Sequence, residues 1–431
     1  MISRLFMALR FLAGFGIARG LLFFSPILLS NLLPLDRYGQ FELAQSLASI
    51  GALVIGCGLV GTVPLIRLRD EIDGRWDTLL LLVAGLGGGC ILLALGVGLT
   101  SGTLFSVPVL VPLGIGVLML QGLWANTLKS DGQGTRAIFV EVGFWAVAVS
   151  GAGLTVLSKD RLSQGTIPLV LLVYAVVLLG VTLVQQVRCR TGSFGLLDLR
   201  RNIALGLPLM FTGILTVLIT SSGRLVLGQT SGVEAVGLYA VLYRSTTLPL
   251  VGHQILIIGF FRQIFSWSDE VLRARAAVIV VGVSAMALGF WVLEPYLGWL
   301  LGKRFTQIFA SYRAEGLTLL VQTILWSAIA LNDLVNSRLQ IAGRVTRVTA
   351  PYLALGLGAL TFWTWSRAQH MPISDTLHGF IMGHFILMVG FYTVQCWSAW
   401  WLGHRFVRLW LSTYVCTVGV GLLIFLGELY G

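Results

Sequence analysis

The feature that most constrains this chain is a succession of apolar runs, each about twenty residues long or longer and nearly free of charge. The segment from 78 to 100, for example, reads TLLLLVAGLGGGCILLALGVGLT. An α-helix needs about 20 apolar residues to cross the hydrocarbon core of a bilayer, whereas membrane barrels show shorter, alternating segments. The composition, 56% hydrophobic and 11% charged, leaves no room for a large soluble domain. The chain is therefore predicted to be an all-α, polytopic membrane protein.

Charged residues and Gly or Pro breaks divide these runs into about 12–13 predicted transmembrane helices. The connectors between them are short, as expected when most of the chain lies in the bilayer. The predicted spans cover residues 10–33, 41–66, 78–100, 104–128, 137–158, 166–187, 203–228, 236–262, 275–301, 316–338, 349–366, 377–402 and 409–429.

The basic residues divide unevenly among the predicted connectors. If the N-terminus lies in the cytoplasm, the connectors on that side carry 19 of the 29 Lys and Arg residues, and the opposite connectors carry 7. An excess of Lys and Arg in cytoplasmic loops is the usual bias of membrane proteins. The net charge of +11 is thus explained by topology, and no nucleic-acid partner is expected. We predict a multi-pass protein of the cytoplasmic (inner) membrane with its N-terminus in the cytoplasm.

Two pairs of short segments suggest an internal duplication. LDRYGQFELAQSLASI at the second span and VEAVGLYAVLYRSTTL at the eighth align Gly39 with Gly237, and DGQGTRA aligns with AGRVTRV after the fourth and tenth spans. Both copies begin on the cytoplasmic side, which predicts two parallel six-helix repeats around a central cavity. The predicted domains are residues 1–190, residues 191–402, and an additional transmembrane helix within 403–431.

The sequence lacks several common motifs of catalytic and nucleotide-binding sites. HExxH, GxxxxGK[ST], GxSxG and DxD do not occur, and the five cysteines have no metal-ligand spacing. No metal site and no cofactor are therefore expected. A membrane glycosyltransferase or polysaccharide polymerase remains an alternative, although such an enzyme would be expected to present carboxylates on an extended outer loop.

Several segments of the chain resemble a family of transporters. They are LDRYGQFELAQSLASIG, the GLP at Gly206 to Pro208, and SSGRLVLGQTSGVEAVGLYAVLYR, within a double repeat of six helices. Together they resemble polysaccharide-lipid flippases, the Wzx-type O-antigen and exopolysaccharide transporters, whose superfamily also holds MATE multidrug exporters and lipid II flippases. This resemblance implies a polyisoprenyl-pyrophosphate-linked oligosaccharide moved from the cytoplasmic to the outer leaflet by alternating access. It also implies a role in cell-surface polysaccharide assembly, with a polysaccharide polymerase as a partner; a MATE-like exporter of small molecules is the main alternative.

Three arginines, Arg19, Arg224 and Arg244, fall inside predicted spans. A charge at the bilayer centre costs about 2.5 to 3.5 kcal/mol on insertion scales, so it should face a wet cavity or a partner. Arginine keeps its charge and binds phosphate oxygens in pairs, which makes all three candidates for binding pyrophosphate. Arg224 lies near the end of its span, where its side chain is expected to snorkel outward. For Arg19 and Arg244 the alternative is an internal ion pair that holds two helices together.

Other polar residues inside spans are candidates for the inner mouth or for coupling to a proton or sodium gradient. Asp333 and Asn336 lie near the inner end of the tenth span. Glu42 lies near the end of the second span, where interfacial solvation is the simpler expectation. His253 and His384 could titrate, but a membrane histidine is more often hydrogen-bonded to a neighbouring helix.

Overall fold

The structure is a computed structural model, and it describes residues 2–68, 76–158, 165–189, 196–251, 253, 267–339 and 341–430. Every regular element in these ranges is helical, which confirms the prediction of an all-α protein. We number the helices in chain order. They are α1 (Ile2–Leu32), α2 (Leu35–Ile55), α3 (Val63–Leu68), α4 (Trp76–Ser101), α5 (Val107–Ser130), α6 (Gly134–Leu157), α7 (Thr166–Cys189), α8 (Leu196–Thr230), α9 (Gly232–Thr246), α10 (Asp269–Leu301), α11 (Lys303–Ser311), α12 (Arg313–Arg338), α13 (Ala342–Ala368), α14 (Ile373–Trp401) and α15 (Val407–Tyr430).

Many of these helices are long and apolar enough to cross a membrane. Within the described ranges nine single helices meet this condition, and ten do if the bent segment that contains α2 and α3 counts as one span. The predicted bounds of α4, α5, α6 and α7 agree with the observed ones to within a few residues, because charged or Gly- and Pro-containing breaks mark their ends. The prediction of a polytopic helical membrane protein is confirmed.

The helices form two compact units, Met1–Leu225 and Val226–Gly431, so the division falls inside α8. In the first unit α5 is the central helix and packs against α2, α4, α6 and α7. In the second unit α12 is central and packs against α9, α10, α14 and α15. Both central helices are mostly buried, whereas α4, α6, α7, α10, α14 and α15 present apolar faces outward. The repeat boundaries at residues 190 and 402 stay predictions.

The second predicted span is not one continuous helix, contrary to expectation. The chain bends by 65° between the segments Leu35–Ile55 and Leu59–Arg67. Cys57 and Gly58 have φ angles of 46° and 69°, and the Gly58 N–H donates to the Leu53 carbonyl at 3.0 Å, a bond that closes the end of a helix. Beyond the bend, the Asn126 side chain donates to the Val60 carbonyl at 2.9 Å. The bend therefore has its own hydrogen bonds inside the unit.

A backbone contact holds the bend against α8. A Cβ atom on Gly58 would collide with the carbonyl of Gly206, and a Cβ atom on Gly206 would collide with the carbonyl of Cys57. Only glycine has no Cβ and also adopts positive φ without penalty. The two glycines thus let the bend in the second span and α8 approach backbone to backbone.

The eighth predicted span is also interrupted. Helix α9 ends at Thr246, Thr247 forms a turn, and helical structure resumes at residue 248. Pro249 accounts for the interruption, because it has no N–H to donate to the carbonyl of Ser245. The rest of this predicted span, apart from His253, lies outside the described residues beyond 251.

Candidate functional site

Arg224 and Glu42 form an ion pair in the interior of the first unit. The Arg224 Nε atom lies 3.0 Å from Glu42 Oε2, and the two side chains are only 4% and 0% exposed. The predictions for both residues were wrong in this respect: Arg224 does not snorkel outward, and Glu42 is not solvated at an interface. The physical reason is that each charge is compensated by the other, so neither needs to reach water.

Hydroxyl groups surround this ion pair. The Tyr38 hydroxyl donates to Glu42 Oε1 at 2.8 Å, and Arg224 Nη1 donates to the hydroxyls of Ser46 and Ser221 at 3.3 and 3.4 Å. Tyr38, Glu42 and Ser46 are spaced four residues apart, which places them on one face of α2. This spacing is the one sequence signal that could have indicated a polar site here. Arg224 could bind a phosphate only after it had separated from Glu42.

The other two predicted arginines lie on different helices. Arg19 is on α1, and its side chain lies outside the described side chains. Arg244 is in the last turn of α9 and is partly buried, next to the turn at Thr247. A position beside an interrupted helix is one where polar groups commonly meet in membrane transporters. The roles of both arginines in binding stay predictions.

Asp333 and Asn336 lie in the last turns of α12, about 7 and 3 Å from its end at Arg338 by the helical rise. Asp333 Oδ1 accepts a hydrogen bond of 2.5 Å from Gln395 Nε2, and Gln395 Oε1 accepts one of 3.2 Å from Asn332. Asn336 is 1% exposed, and among the described residues its side-chain amide has no hydrogen-bond partner. A buried amide of this kind is an unusual feature in a stable core. The coupling role of Asp333 and Asn336 stays a prediction.

A row of side-chain hydrogen bonds joins α12 to α14. These two helices run parallel, because successive contacts pair residues 62 or 63 positions apart. The contacts are Glu315 with His378, Gln322 with His384, Asn332 with Gln395, and Asp333 with Gln395. We call this row the polar ladder. Within it, the contacts of Gln322 with His384 and of Asn332 with Gln395 join buried side chains, whereas those of Glu315 with His378 and of Asp333 with Gln395 involve exposed side chains.

The two histidines inside spans are both held by α12. His384 Nδ1 lies 2.8 Å from Gln322 Nε2, and His253 Nδ1 lies 2.8 Å from the Ser327 hydroxyl. The exposed fractions of His384 and His253 are 1% and 6%. The prediction that these histidines hydrogen-bond a neighbouring helix is confirmed.

Comparison with known proteins gives structural similarity only. No family model and no curated protein matches the chain. The structure is similar to that of the lipid II flippase MurJ in an inward closed conformation, with a TM-score of 0.59 and 10% identity over 98% of this chain and 92% of that one. It is also similar to an inward-facing multidrug resistance MATE family transporter of the MOP superfamily, with a TM-score of 0.57 and 12% identity over 90% and 94% of the two chains.

A third similar structure is that of MATE in complex with MaL6, with a TM-score of 0.54 and 12% identity over the same shares of the two chains. Identities this low show a common fold and no more. The chain therefore has the fold of MOP superfamily transporters, and the resemblance to this superfamily expected from the sequence is confirmed at the level of the fold.

Proposed function

We propose that this chain is a flippase that moves a polyisoprenyl-pyrophosphate-linked oligosaccharide from the cytoplasmic to the outer leaflet by alternating access. The proposal is carried by the permanent positive charges of Arg19 and Arg244 within predicted spans. It is supported by a fold that is similar to a lipid II flippase over 92% of that chain. Pyrophosphate requires cations in a place with little water, and guanidinium groups supply them. On this proposal the chain is a transporter and not an enzyme.

The three arginines have different roles in the proposed mechanism. Arg19 and Arg244 are the main ligands of the pyrophosphate group. Arg224 is a secondary ligand, because its charge is already compensated by Glu42 at 3.0 Å. It would contribute only in a state in which that ion pair has separated.

The proposal also specifies the membrane in which the chain works and the ion gradient that drives transport. It works in the cytoplasmic membrane during cell-surface polysaccharide assembly, where a polymerase receives its product. Asp333 and Asn336 couple transport to a proton or sodium gradient. An aspartate and a buried amide near one end of α12 offer oxygen atoms that suit either ion.

The experiment is a transport assay in proteoliposomes that contain the purified full-length protein and a fluorescent polyprenyl-pyrophosphate oligosaccharide. We expect Arg19→Ala and Arg244→Ala to slow transport by at least about tenfold, because each removes a charge-assisted phosphate contact of about 1.5 to 3 kcal/mol. Arg19→Lys should fall between wild type and Arg19→Ala, because lysine keeps the charge but loses the paired geometry.

Arg188→Ala is the matched control, because Arg188 is an exposed arginine in the last turn of α7. It should transport at the wild-type rate. Wild-type rates for both Arg19→Ala and Arg244→Ala, at equal protein per vesicle, would contradict the phosphate-binding role.

A second candidate function is the MATE-like export of small molecules, which is favoured by the similarity to a multidrug resistance transporter over 90% of the chain. The two functions differ in the charge of the cargo. A small-cation exporter would transport a fluorescent organic cation in the same vesicles, and Arg19→Ala would leave that rate unchanged or raise it. Transport of the cation without transport of the oligosaccharide lipid would favour the exporter.

A membrane glycosyltransferase or polymerase would instead lengthen the oligosaccharide, which chromatography of the same lipid would detect.

A further inference from the structure

A groove in the second unit combines an apolar wall with a charged end. Its volume is about 510 Å³, and it lies between α12, α14 and α15. Leu317, Val321, Phe385 and Ile424 form part of the wall. Phe425, which also lines the groove, is 60% exposed, so the groove opens sideways from the helices.

The charged end is built from three helices. Arg313 contacts both oxygens of Glu428, with Nε at 2.6 Å and Nη2 at 2.9 Å, while its Nη1 contacts Glu294 at 2.6 Å. Trp291 donates a further hydrogen bond of 3.0 Å to Glu428. Arg313 and Glu428 line the groove, and Glu294, which does not, is paired with Arg313. The one guanidinium and two carboxylates carry a net charge of −1, so this end favours a cation over another anion.

The groove has a definite depth in the membrane. Arg313 is the first residue of the candidate span Arg313–Asn336, and Glu428 is the last but one of the span Val407–Leu429. The charged end thus lies where spans end, at the level of lipid headgroups. Leu317 and Val321 lie about 6 and 12 Å further along α12. The apolar wall therefore extends into the part of the bilayer that holds acyl chains.

We propose that this groove binds a bilayer phospholipid with a primary-amine headgroup, of the phosphatidylethanolamine class. The ammonium group would donate a hydrogen bond to the carboxylate of Glu428, which lines the groove, and one acyl chain would lie along the apolar wall. A choline headgroup has no N–H to donate, and an anionic headgroup meets a net negative charge. A polyisoprenyl pyrophosphate is disfavoured for the same reason, so this site is separate from the proposed transport site.

Native mass spectrometry of the full-length protein in detergent tests the proposal. The protein is titrated with phosphatidylethanolamine, phosphatidylcholine and phosphatidylglycerol that carry identical acyl chains. We expect the ethanolamine lipid to bind about tenfold more tightly than the glycerol lipid, a difference of about 1.4 kcal/mol, and also more tightly than the choline lipid. Equal or tighter binding of the glycerol lipid would overturn the proposal.

Two glycines of α15 provide a matched pair of variants. Gly421 lines the groove and Gly419 does not, and a Cβ atom at either position meets no atom within 4 Å. Gly421→Leu should fill the groove and abolish the preference for the ethanolamine lipid. Gly419→Leu adds the same side chain to the same helix and should keep that preference. If both variants bind the lipids as the wild type does, the groove is not the site.

Glu428→Gln provides an independent test that leaves the apolar wall unchanged. Glutamine keeps the size of the side chain but makes the charged end neutral. The ratio of the affinities for ethanolamine and glycerol lipids should fall towards one, while the affinity for the choline lipid stays nearly constant. An unchanged ratio would show that the carboxylates do not select the headgroup, and the proposal would be wrong even if Gly421→Leu fails to fold.

Discussion

Glu42 and Arg224 compensate each other in a part of the first unit that water does not reach. Removing two charges from water costs several kcal/mol each, and the attraction between them offsets this cost only when their geometry and hydrogen bonds are good. Here Tyr38, Ser46 and Ser221 supply further hydrogen bonds. The pair is consequently far more costly to break than to keep, and its two members are expected to respond to substitution as a unit.

Glu42→Gln should lower the free energy of unfolding by about 3 to 5 kcal/mol, because it removes the carboxylate that lies 3.0 Å from the buried guanidinium of Arg224. The double variant Glu42→Leu, Arg224→Met should lose less than Glu42→Gln alone, since neither buried charge then remains. Thermal unfolding of the purified variants in detergent measures both effects.

The ion pair between Lys129 and Glu141 provides the comparison, because its side chains are 45% and 29% exposed. Exposed pairs contribute at most about 1 kcal/mol, so Glu141→Gln should change stability little. If Glu42→Gln were no more costly than Glu141→Gln, the interior pair would not have the role assigned to it.

Hydropathy alone could locate Arg224 inside a span but could not identify its partner. Glu42 and Arg224 are 182 positions apart in the sequence, and the apolar content of a window says how deep a residue lies, not what it faces. For the same reason Asp333 and Asn336 were recognised as polar residues near a helix end, while Gln395, which binds Asp333, was not. A hydrogen bond from His384 to a neighbouring helix was expected, because a buried imidazole needs a hydrogen-bond partner.

Among the helices, the bend between α2 and α3 has the strictest requirement on its sequence. Gly58→Ala should destabilise the protein for two reasons. An alanine at φ of 69° costs about 1 to 2 kcal/mol, and its Cβ atom also collides with the Gly206 carbonyl. Thermal unfolding and the transport assay in proteoliposomes should both show the loss.

Gly102→Ala separates these two causes. Gly102 has nearly the same φ, 66°, but a Cβ atom there meets nothing within 4 Å. It should therefore incur only the conformational cost. Equal losses for Gly58→Ala and Gly102→Ala would mean that the contact between the bend and α8 contributes nothing.

The sequence predicts where helices lie better than it predicts where they break. Helices α4 to α7 were located to within a few residues because changes in polarity mark their ends. The bend at Gly56, Cys57 and Gly58 has no such mark, since an apolar run continues through it and Cys57 is not a residue that favours positive φ. Pro249 did offer a signal for the turn at Thr247, but proline is also tolerated inside membrane helices, so its presence alone does not predict an interruption.

The chain as a whole has a predicted orientation that follows from its loop charges. With the N-terminus in the cytoplasm, a cysteine introduced at Arg200 in a cysteine-free variant should not react with a membrane-impermeant maleimide in intact cells. A cysteine at Asp375, at the start of α14, should react, because α14 is expected to begin on the outer side.

Permeabilised cells provide the control, because both positions should then react. A reporter fused after Gly431 completes the test, since thirteen spans place that end outside. Reaction at position 200 in intact cells would reverse the whole orientation, whereas an inside C-terminus alone would change only the number of spans.

The polar ladder also has a consequence for how the chain is made. Helix α12 is the least hydrophobic single span together with α14, and its Gln322 and Asn332 find their partners on α14, about sixty residues later in synthesis. Until the ribosome has produced α14, these amides have no partner on that helix, and an unsatisfied polar group in lipid is costly. Release of α12 from the translocon into lipid should therefore wait for α14, so that the two helices leave together. Assembly of the second unit would then begin at its centre and proceed outward to α15.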